Sequence, residues 1–334
     1  METLQIMIKK IVLQLLLLLN TLPLVHAQHA SFEFEDVPLN SGFRMEGYWV
    51  WGGSLIQVDS LYHLFASRWP KHAQFPDGYR NNSEIVRATA DNPMGPFTFE
   101  EVVIGERDSS FWDSNMAHNP TIHKIGDEYV LFYIGSDFTT KLQDSDFLLR
   151  RVGFAKSKSV HGPWERLEYP LINYESNNPA FLMDDDRALL VFRDEKLQTY
   201  MVQATEYNGP YSIVNENLWP DCKIEDFYLY KSKKGYHIIC EDNVGGISGH
   251  TRWGVHLFSE NGINNWLKYS DLIVYDHDIR FENDSILKCI RRERPQLYIE
   301  NNKITYLFTS VLGKEISWCQ PVKLKNPIEL NHNK

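Results

Sequence analysis

The sequence predicts an all-β fold, a five-bladed β-propeller with blades of three to four antiparallel strands. Three observations predict it. First, Gly-Pro-aromatic occurs three times, as Gly95-Pro96-Phe97, Gly162-Pro163-Trp164 and Gly209-Pro210-Tyr211. Second, a strand-like run precedes each copy, at residues 85–89, 152–157 and 200–204. A degenerate fourth copy runs through 255–259 to Asn264-Asn265-Trp266. A Gly-Pro pair turns the chain, and the aromatic after it packs back onto a sheet. Copies about 45 to 70 residues apart mark one supersecondary unit used repeatedly, as in propellers. Third, no convincing amphipathic helix longer than two turns interrupts the strand pattern after residue 27.

Taken in order, residues 1–27 read as an export signal. Lys9 and Lys10 form a positive start, residues 11–19 an apolar core broken only by Gln14, and Val25-His26-Ala27 a small-residue cleavage site. The apolar core is too short to span a membrane. Residues 28–334 are therefore expected as a single domain, soluble after signal cleavage and secreted or periplasmic.

Strands are read from short β-branched or aromatic runs bounded by turns. Residues 51–58, 61–67 and 84–89 make a first set, and 119–124, 128–134 and 152–157 a second. Residues 180–183, 188–193 and 199–204 make a third, and 227–231, 236–241 and 254–258 a fourth. The fifth is 296–300, 303–310 and 316–319. Polar turns such as Ile125-Gly126-Asp127 and Glu300-Asn301-Asn302 join the first two strands of a set.

Composition narrows the partners. The formal net charge of -10, with no Lys/Arg run, disfavours nucleic acid and anionic membranes. Cys222, Cys240, Cys289 and Cys319 allow three disulfide pairings if the chain is exported. They show no CxxC spacing, so no metal centre is expected, and no other cofactor.

In a propeller the first strand of each blade lies beside the axis, and the strand starts converge. Those starts are Trp51-Gly52-Gly53-Ser54, Ala117-His118-Asn119-Pro120, Ser176-Asn177-Asn178-Pro179, Ile224-Glu225-Asp226-Phe227 and Arg292-Glu293-Arg294-Pro295. Polar side chains recurring at one focus point to a ligand site, because each is expensive to desolvate. Acid–base chemistry at that focus has four candidates: Asp226, Glu225, Glu293 and Asp113, the last on a loop entering the second blade. Alternation along a strand lets only one of Glu225 and Asp226 face inward, with Asp226 slightly favoured as the acid. Candidate ligand contacts are Trp51, Trp112 for sugar stacking, His118 (a group able to titrate near neutrality), Asn119 and Asn178. Arg68 at a strand end, Asp242 and His250 on a Gly-rich loop, and Arg292 and Arg294 complete the set. Arginine forks suit carboxylates or sulfates, so the last two hint at an acidic sugar.

These features resemble the five-bladed propeller glycoside hydrolases, the superfamily of glycoside hydrolase families 43, 32, 68, 117 and 130. The resemblance runs from about Tyr48 to Cys319. It rests on the strand–Gly-Pro-aromatic repeat, on Tyr62-His63-Leu64-Phe65 and Tyr129-Val130-Leu131-Phe132-Tyr133 as second strands, and on the polar inner-strand starts. It implies a glycoside hydrolase, exo-acting on an oligo- or polysaccharide through carboxylates in the axial funnel. Family 43 carries a base in the first blade, an orienting Asp in the second and a Glu acid in the third. This chain has Trp51-Gly52-Gly53-Ser54 where the base is expected and Asn177-Asn178-Pro179 in the third blade. Its Glu225-Asp226 pair is similar to one near the acid of family 130 phosphorylases. Two rival readings follow: a non-catalytic carbohydrate-binding propeller, or a sugar phosphorylase, which the scarcity of free phosphate outside cells disfavours.

Overall fold

The structure, a computed structural model, describes residues 32–330. The export signal expected at residues 1–27 lies outside the described residues. Five antiparallel sheets are arranged around one axis as a five-bladed propeller. The first blade is β1 (Tyr48–Val58), β2 (Leu61–Pro70), β3 (Glu84–Ala90) and β4 (Thr98–Ile104), with a one-turn helix α1 (Tyr79–Asn82) between β2 and β3. The second is β5 (Met116–Ile125), β6 (Glu128–Ser136), β7 (Arg151–Ser157) and β8 (Glu165–Arg166). The third is β9 (Asn177–Asp184), β10 (Arg187–Arg193), β11 (Thr199–Ala204) and β12 (Ser212–Asn215). The fourth is β13 (Ile224–Ser232), β14 (Gly235–Asp242), β15 (Trp253–Ser259) and β16 (Leu267–Tyr275). A hairpin, β17 (Asp278–Arg280) and β18 (Ile286–Lys288), precedes the fifth blade, β19 (Arg291–Glu300), β20 (Lys303–Leu312) and β21 (Ser317–Glu329). Inner strands β1, β5, β9, β13 and β19 touch in succession, and β19 touches β1 again, so the ring closes.

The outer edge of the fifth blade is covered by the start of the described chain. Phe43 and Cys319 exchange backbone hydrogen bonds of 3.0 and 3.1 Å, and the Glu35 N–H donates to the Lys323 carbonyl. Both ends of the described residues therefore meet in one blade. This covers a sheet edge that would otherwise offer unpaired backbone groups.

The repeated tripeptide works as its chemistry suggests. Gly95, Gly162 and Gly209 sit at φ of +78°, +85° and +83°, where an L side chain is strained. Phe97 and Trp266 are buried, and Trp164 and Tyr211 pack against inter-blade clusters. Aromatics also weld blade to blade: Phe132 of β6 stacks on Phe181 of β9 at 4.5 Å.

The inner strands begin three residues before the expected starts in four blades and five before in the fifth. The reason is a β-bulge repeated in every inner strand. Gly52, Asn119, Asn178, Asp226 and Arg294 have φ between +53° and +66°. The register to the second strand slips at each of them. A left-handed residue in a bulge lets the chain stay paired on both sides of it. Sequence patterning marks strand only after the bulge in the last three blades, from the bulge residue Asn119 in the second and from Trp51 in the first.

All four cysteines are free thiols, so the structure contains none of the three possible disulfide pairings. Among the described residues no helix is long and apolar enough to cross a membrane.

Candidate active site

The bulges create two rings of side chains at one end of the axis. The left-handed residues form the floor. The Asn119 amide donates to Asn178 Oδ1 (2.9 Å), the Asn178 amide to Asp226 Oδ1 (2.5 Å), and the Arg294 backbone N–H to Asp226 Oδ2 (3.1 Å). The Arg294 guanidinium, 1% exposed, lies under this floor with Nη1 3.6 Å from Asp226 Oδ1. The residues just before the bulges, Trp51, His118, Asn177, Glu225 and Glu293, form the lower wall. Above them, the β2–β3 connection supplies Phe75, which stacks on Trp69 and meets Trp51 edge-on at 5.0 Å. The enclosed space is about 230 Å³.

The bulge also corrects one expectation. Glu225 and Asp226 both line the cavity, because a left-handed residue breaks the alternation that would send one of them outward. Their environments differ. Glu225 is ion-paired with Arg193 (2.7 Å) and accepts from the Asn243 side chain. Asp226 is fixed in the floor by Asn178 and Arg294, and burial, opposed by Arg294 and assisted by Glu225, raises its pKa. Glu293 accepts from Arg252 Nη1 at 2.7 Å and from Arg291 Nη1 at 3.4 Å. Burial and then Asp226 push its carboxyl up to about 7, against the pull of Arg291 and Arg252.

Behind this wall stands Glu241 of β14, paired in register with Glu225 and fully buried. Arg252 Nη1 also bonds its Oε1 at 2.9 Å, while Oε2 has no partner. Burial, reinforced by Glu293, raises its pKa well above the usual carboxyl range. Carboxylate oxygens of Asp226, Glu241 and Glu293 lie within 4.8 Å of one another. Three such oxygens are a ligand set for a hard cation. Arg252 already occupies two of these carboxyls, and Arg294 faces the third, so cationic side chains stand where the ion would.

His118 is buried, and its ring stacks on Tyr79 at 4.3 Å and bonds Ser83 Oγ through Nδ1. Burial and the nearby Arg294, Arg150 and Arg80 hold its pKa well below the usual histidine range. It is a neutral wall residue, where the sequence suggested a group titrating near neutrality.

The remaining candidates lie away from the cavity. Asp113 is enclosed by Arg107 (2.8 Å), Arg166 (2.7 Å) and the Tyr133 hydroxyl (2.6 Å), with no exposed side-chain surface. Trp112 packs in the core, stacked on Tyr133 and close over Gly153, where a Cβ would meet the indole at 2.3 Å. Arg68 pairs with Glu84 (2.7 Å) and lies over the Tyr48 ring. Asp242 caps its own loop, accepting from the Ile247 and Ser248 N–H groups. His250 stacks on Trp253 at 3.7 Å. Arg292 points to the opposite face of β19 and bonds the carbonyls of Asp276 and Asp278, tying in the β17–β18 hairpin.

Sequence reading missed the residues that hold the acids and roof the cavity. Arg193 and Glu241 lie opposite Asn177 and Glu225 on second strands, so aligning β10 and β14 against β9 and β13 would have found them. Arg252, Trp69, Phe75 and Tyr79 carried no such signal.

A larger depression of about 870 Å³ lies at the other end of the inner strands, around turns such as Asp184-Asp185 and Ser232–Gly235. Its Asp184 is taken by Lys231 (2.5 Å) and Arg187 (3.3 Å); among the described residues the group of three acids with oxygens within 4.8 Å is that of Asp226, Glu241 and Glu293.

No protein-family model and no curated protein matches the sequence. Solved structures do match the fold. BT0996 in complex with RGII matches at a TM-score of 0.66 and 11% identity, over 91% of this protein and 94% of that one. Zg3597, a family 117 glycoside hydrolase of the marine bacterium Zobellia galactanivorans, matches at 0.60 and 12%, over 87% and 89%. The α-L-arabinofuranosidase PaAbf62A of Podospora anserina, in complex with cellotriose, matches at 0.59 and 13%, over 88% and 99%. This chain thus has the five-bladed propeller fold found in glycoside hydrolases.

Proposed function

We propose that this protein is a glycoside hydrolase that removes single sugars from chain ends, with Glu293 as the general acid and Glu225 as the base or nucleophile. Glycosidic cleavage needs one protonated carboxyl beside the leaving oxygen and one ionised carboxylate facing the sugar or a water. The observation that carries the reading is the contrast between these two wall residues of adjacent blades. Each has an arginine at 2.7 Å, but Glu293 shares its Arg252 with the buried Glu241, and burial and Asp226 push it up to about 7, whereas Glu225 has Arg193 as its own partner. Unequal environments on paired carboxyls are how one site runs acid and base roles together.

Asp226 suits a third role better than that of acid. Its oxygens are held by Asn178 and the Arg294 backbone, which leaves it to position a hydroxyl and keep Glu293 protonated. Loss of a first-blade acid at Gly52 then costs no catalytic group, because blades four and five supply both. A space of about 230 Å³, below the range usual for drug-sized ligands, fits one monosaccharide walled by aromatic rings. That favours exo action over binding along a cleft.

The test is hydrolysis of a panel of oligosaccharides and aryl glycosides, with and without inorganic phosphate. Release of monosaccharide independent of phosphate is expected. Glu293→Gln and Glu225→Gln should each lower turnover by roughly two to four powers of ten. Near-wild-type turnover in either variant refutes the assignment. Binding of oligosaccharides with no cleavage favours a binding module, and strict phosphate dependence a phosphorylase.

A further inference from the structure

The cations around the cavity are not evenly matched. Arg193 has Glu225 at 2.7 Å, and Arg294 has Asp226 at 3.6 Å. Arg252 and Arg291 share the other two acids, Glu241 and Glu293. In the working state of the proposed hydrolase Glu293 carries a proton. Arg252 still has Glu241 at 2.9 Å. Arg291, whose one acid partner among the described residues is Glu293, then faces the cavity with no ionised partner of its own.

Arg291 is also accessible. Its side chain is 29% exposed, it reaches Glu293 only at 3.4 Å, and it lies over the Phe75 ring at 5.6 Å. It shares the cavity lining with Glu293 from its own strand, Arg252 before β15, and Glu225 and Asp226 from β13. Arg80 of α1 lines the same cavity and is also loosely held. Its partners are Asp77 at 3.2 Å, whose side chain is 76% exposed, and Glu195 at 3.8 Å, which contacts Arg150 more closely. A partly buried guanidinium without a counter-charge is costly, and a planar carboxylate matches its fork.

From this arrangement we infer that the sugar taken into the cavity is acidic, a uronic acid whose carboxylate is bound by Arg291 together with Arg80. The inference rests on the hydrolase reading but concerns what is recognised, and its test separates the two. Oligosaccharides ending in galacturonate or glucuronate would be compared with their carboxyl-reduced counterparts, ending in galactose or glucose. At least one acidic member should be cleaved, with kcat/KM roughly ten- to a hundredfold above its reduced counterpart, the range of a hydrogen bond to a charged group. Arg291→Met should erase that ratio, whatever it does to turnover of the neutral chains through its contact with Glu293, and Arg80→Met should reduce it. Equal cleavage of acidic and reduced chains, or a ratio unmoved in Arg291→Met, overturns the inference and leaves the hydrolase reading standing. If nothing is cleaved, calorimetry with galacturonate, glucuronate, galactose and glucose decides. Tighter binding of an acid, lost in Arg291→Met, supports the inference alone, and no preference overturns it.

Discussion

Replacing Asp226 by asparagine should move the alkaline limb of the activity profile to lower pH. Glu293 acts in its protonated form in the proposed mechanism, so kcat/KM falls as pH rises through its pKa of about 7. Asp226 is the largest charge raising that value after burial itself. The two carboxyls have oxygens within 4.8 Å. Two unit charges at that separation repel by about 3.5 kcal/mol at an effective dielectric of about 20, equivalent to about 2.5 pKa units. Arg294 beside Asp226 cancels part of this, so a downward shift of roughly one to two units is expected. The sign is doubly fixed, because a neutral amide there would also leave the Arg294 cation uncompensated near Glu293. The assay is kcat/KM against pH on a substrate with a poor leaving group, for wild type and Asp226→Asn, corrected for the folded fraction. A leaving group that needs no protonation serves as control and should lose the limb in both proteins. An alkaline limb that stays put or moves upward refutes the coupling and returns Asp226 to candidacy as the acid.

Further outcomes follow from the same geometry. Asp113→Asn should lower stability by about 3 to 5 kcal/mol, since it strips charge from a buried partner of Arg107 and Arg166. Turnover per folded molecule should stay near wild type, and a selective loss of turnover at unchanged melting temperature would restore Asp113 to the mechanism. His123 is half-buried, edge-on to Phe132 and Phe181, and held at about 4 against a normal 6.5 by desolvation. Unfolding lets it take up a proton, so its contribution is intact above pH 6.5 and is lost as pH falls toward 4, by at most about 3 kcal/mol. His123→Phe should flatten the melting-temperature profile across that window, and an unchanged slope would contradict the assignment. Phe75→Ala should open the cavity roof and raise KM for the terminal sugar more than it lowers kcat; the reverse pattern would place Phe75 in the chemistry.

The fold was legible because it is written locally and repeated. A turn that needs a left-handed glycine followed by a buried aromatic leaves the same mark at Gly95, Gly162 and Gly209. The convergence of the inner-strand starts on one cavity was legible for a similar reason, since four of the five carry charged or amide side chains that are costly to desolvate. Which side chains face the ligand was not. That depended on a backbone bulge, and Asn119, Asn178, Asp226 and Arg294 carry no glycine to announce a positive φ. Asp113 misled because a carboxyl in a motif-like loop looks the same in sequence whether it is buried between two arginines or open to substrate. Arg252 and Phe75 were invisible because loops reach the cavity through tertiary packing, which no local period records.

In the proposed hydrolase the five bulges also account for two acid–base groups without an acid in the first blade. Each bulge presents two consecutive residues toward the axis where a regular strand would present one. Five blades therefore offer a floor position and a wall position apiece. In the first blade these are Gly52 and Trp51. A Cβ on Gly52 would sit 2.9 Å from Asn119 Oδ1, so this blade yields space at the floor and an apolar face at the wall. Blades two and three supply neutral hydrogen-bonding groups at both levels, in His118-Asn119 and Asn177-Asn178. Only blades four and five carry charge at both levels, in Glu225-Asp226 and Glu293-Arg294. The charged half of the ring therefore faces an aromatic and amide half across a space of about 230 Å³. A sugar has an apolar ring face and polar edges, and this division fixes which way round it can lie. In the proposed hydrolase its reactive carbon is then met by two neighbouring blades rather than by opposite ones.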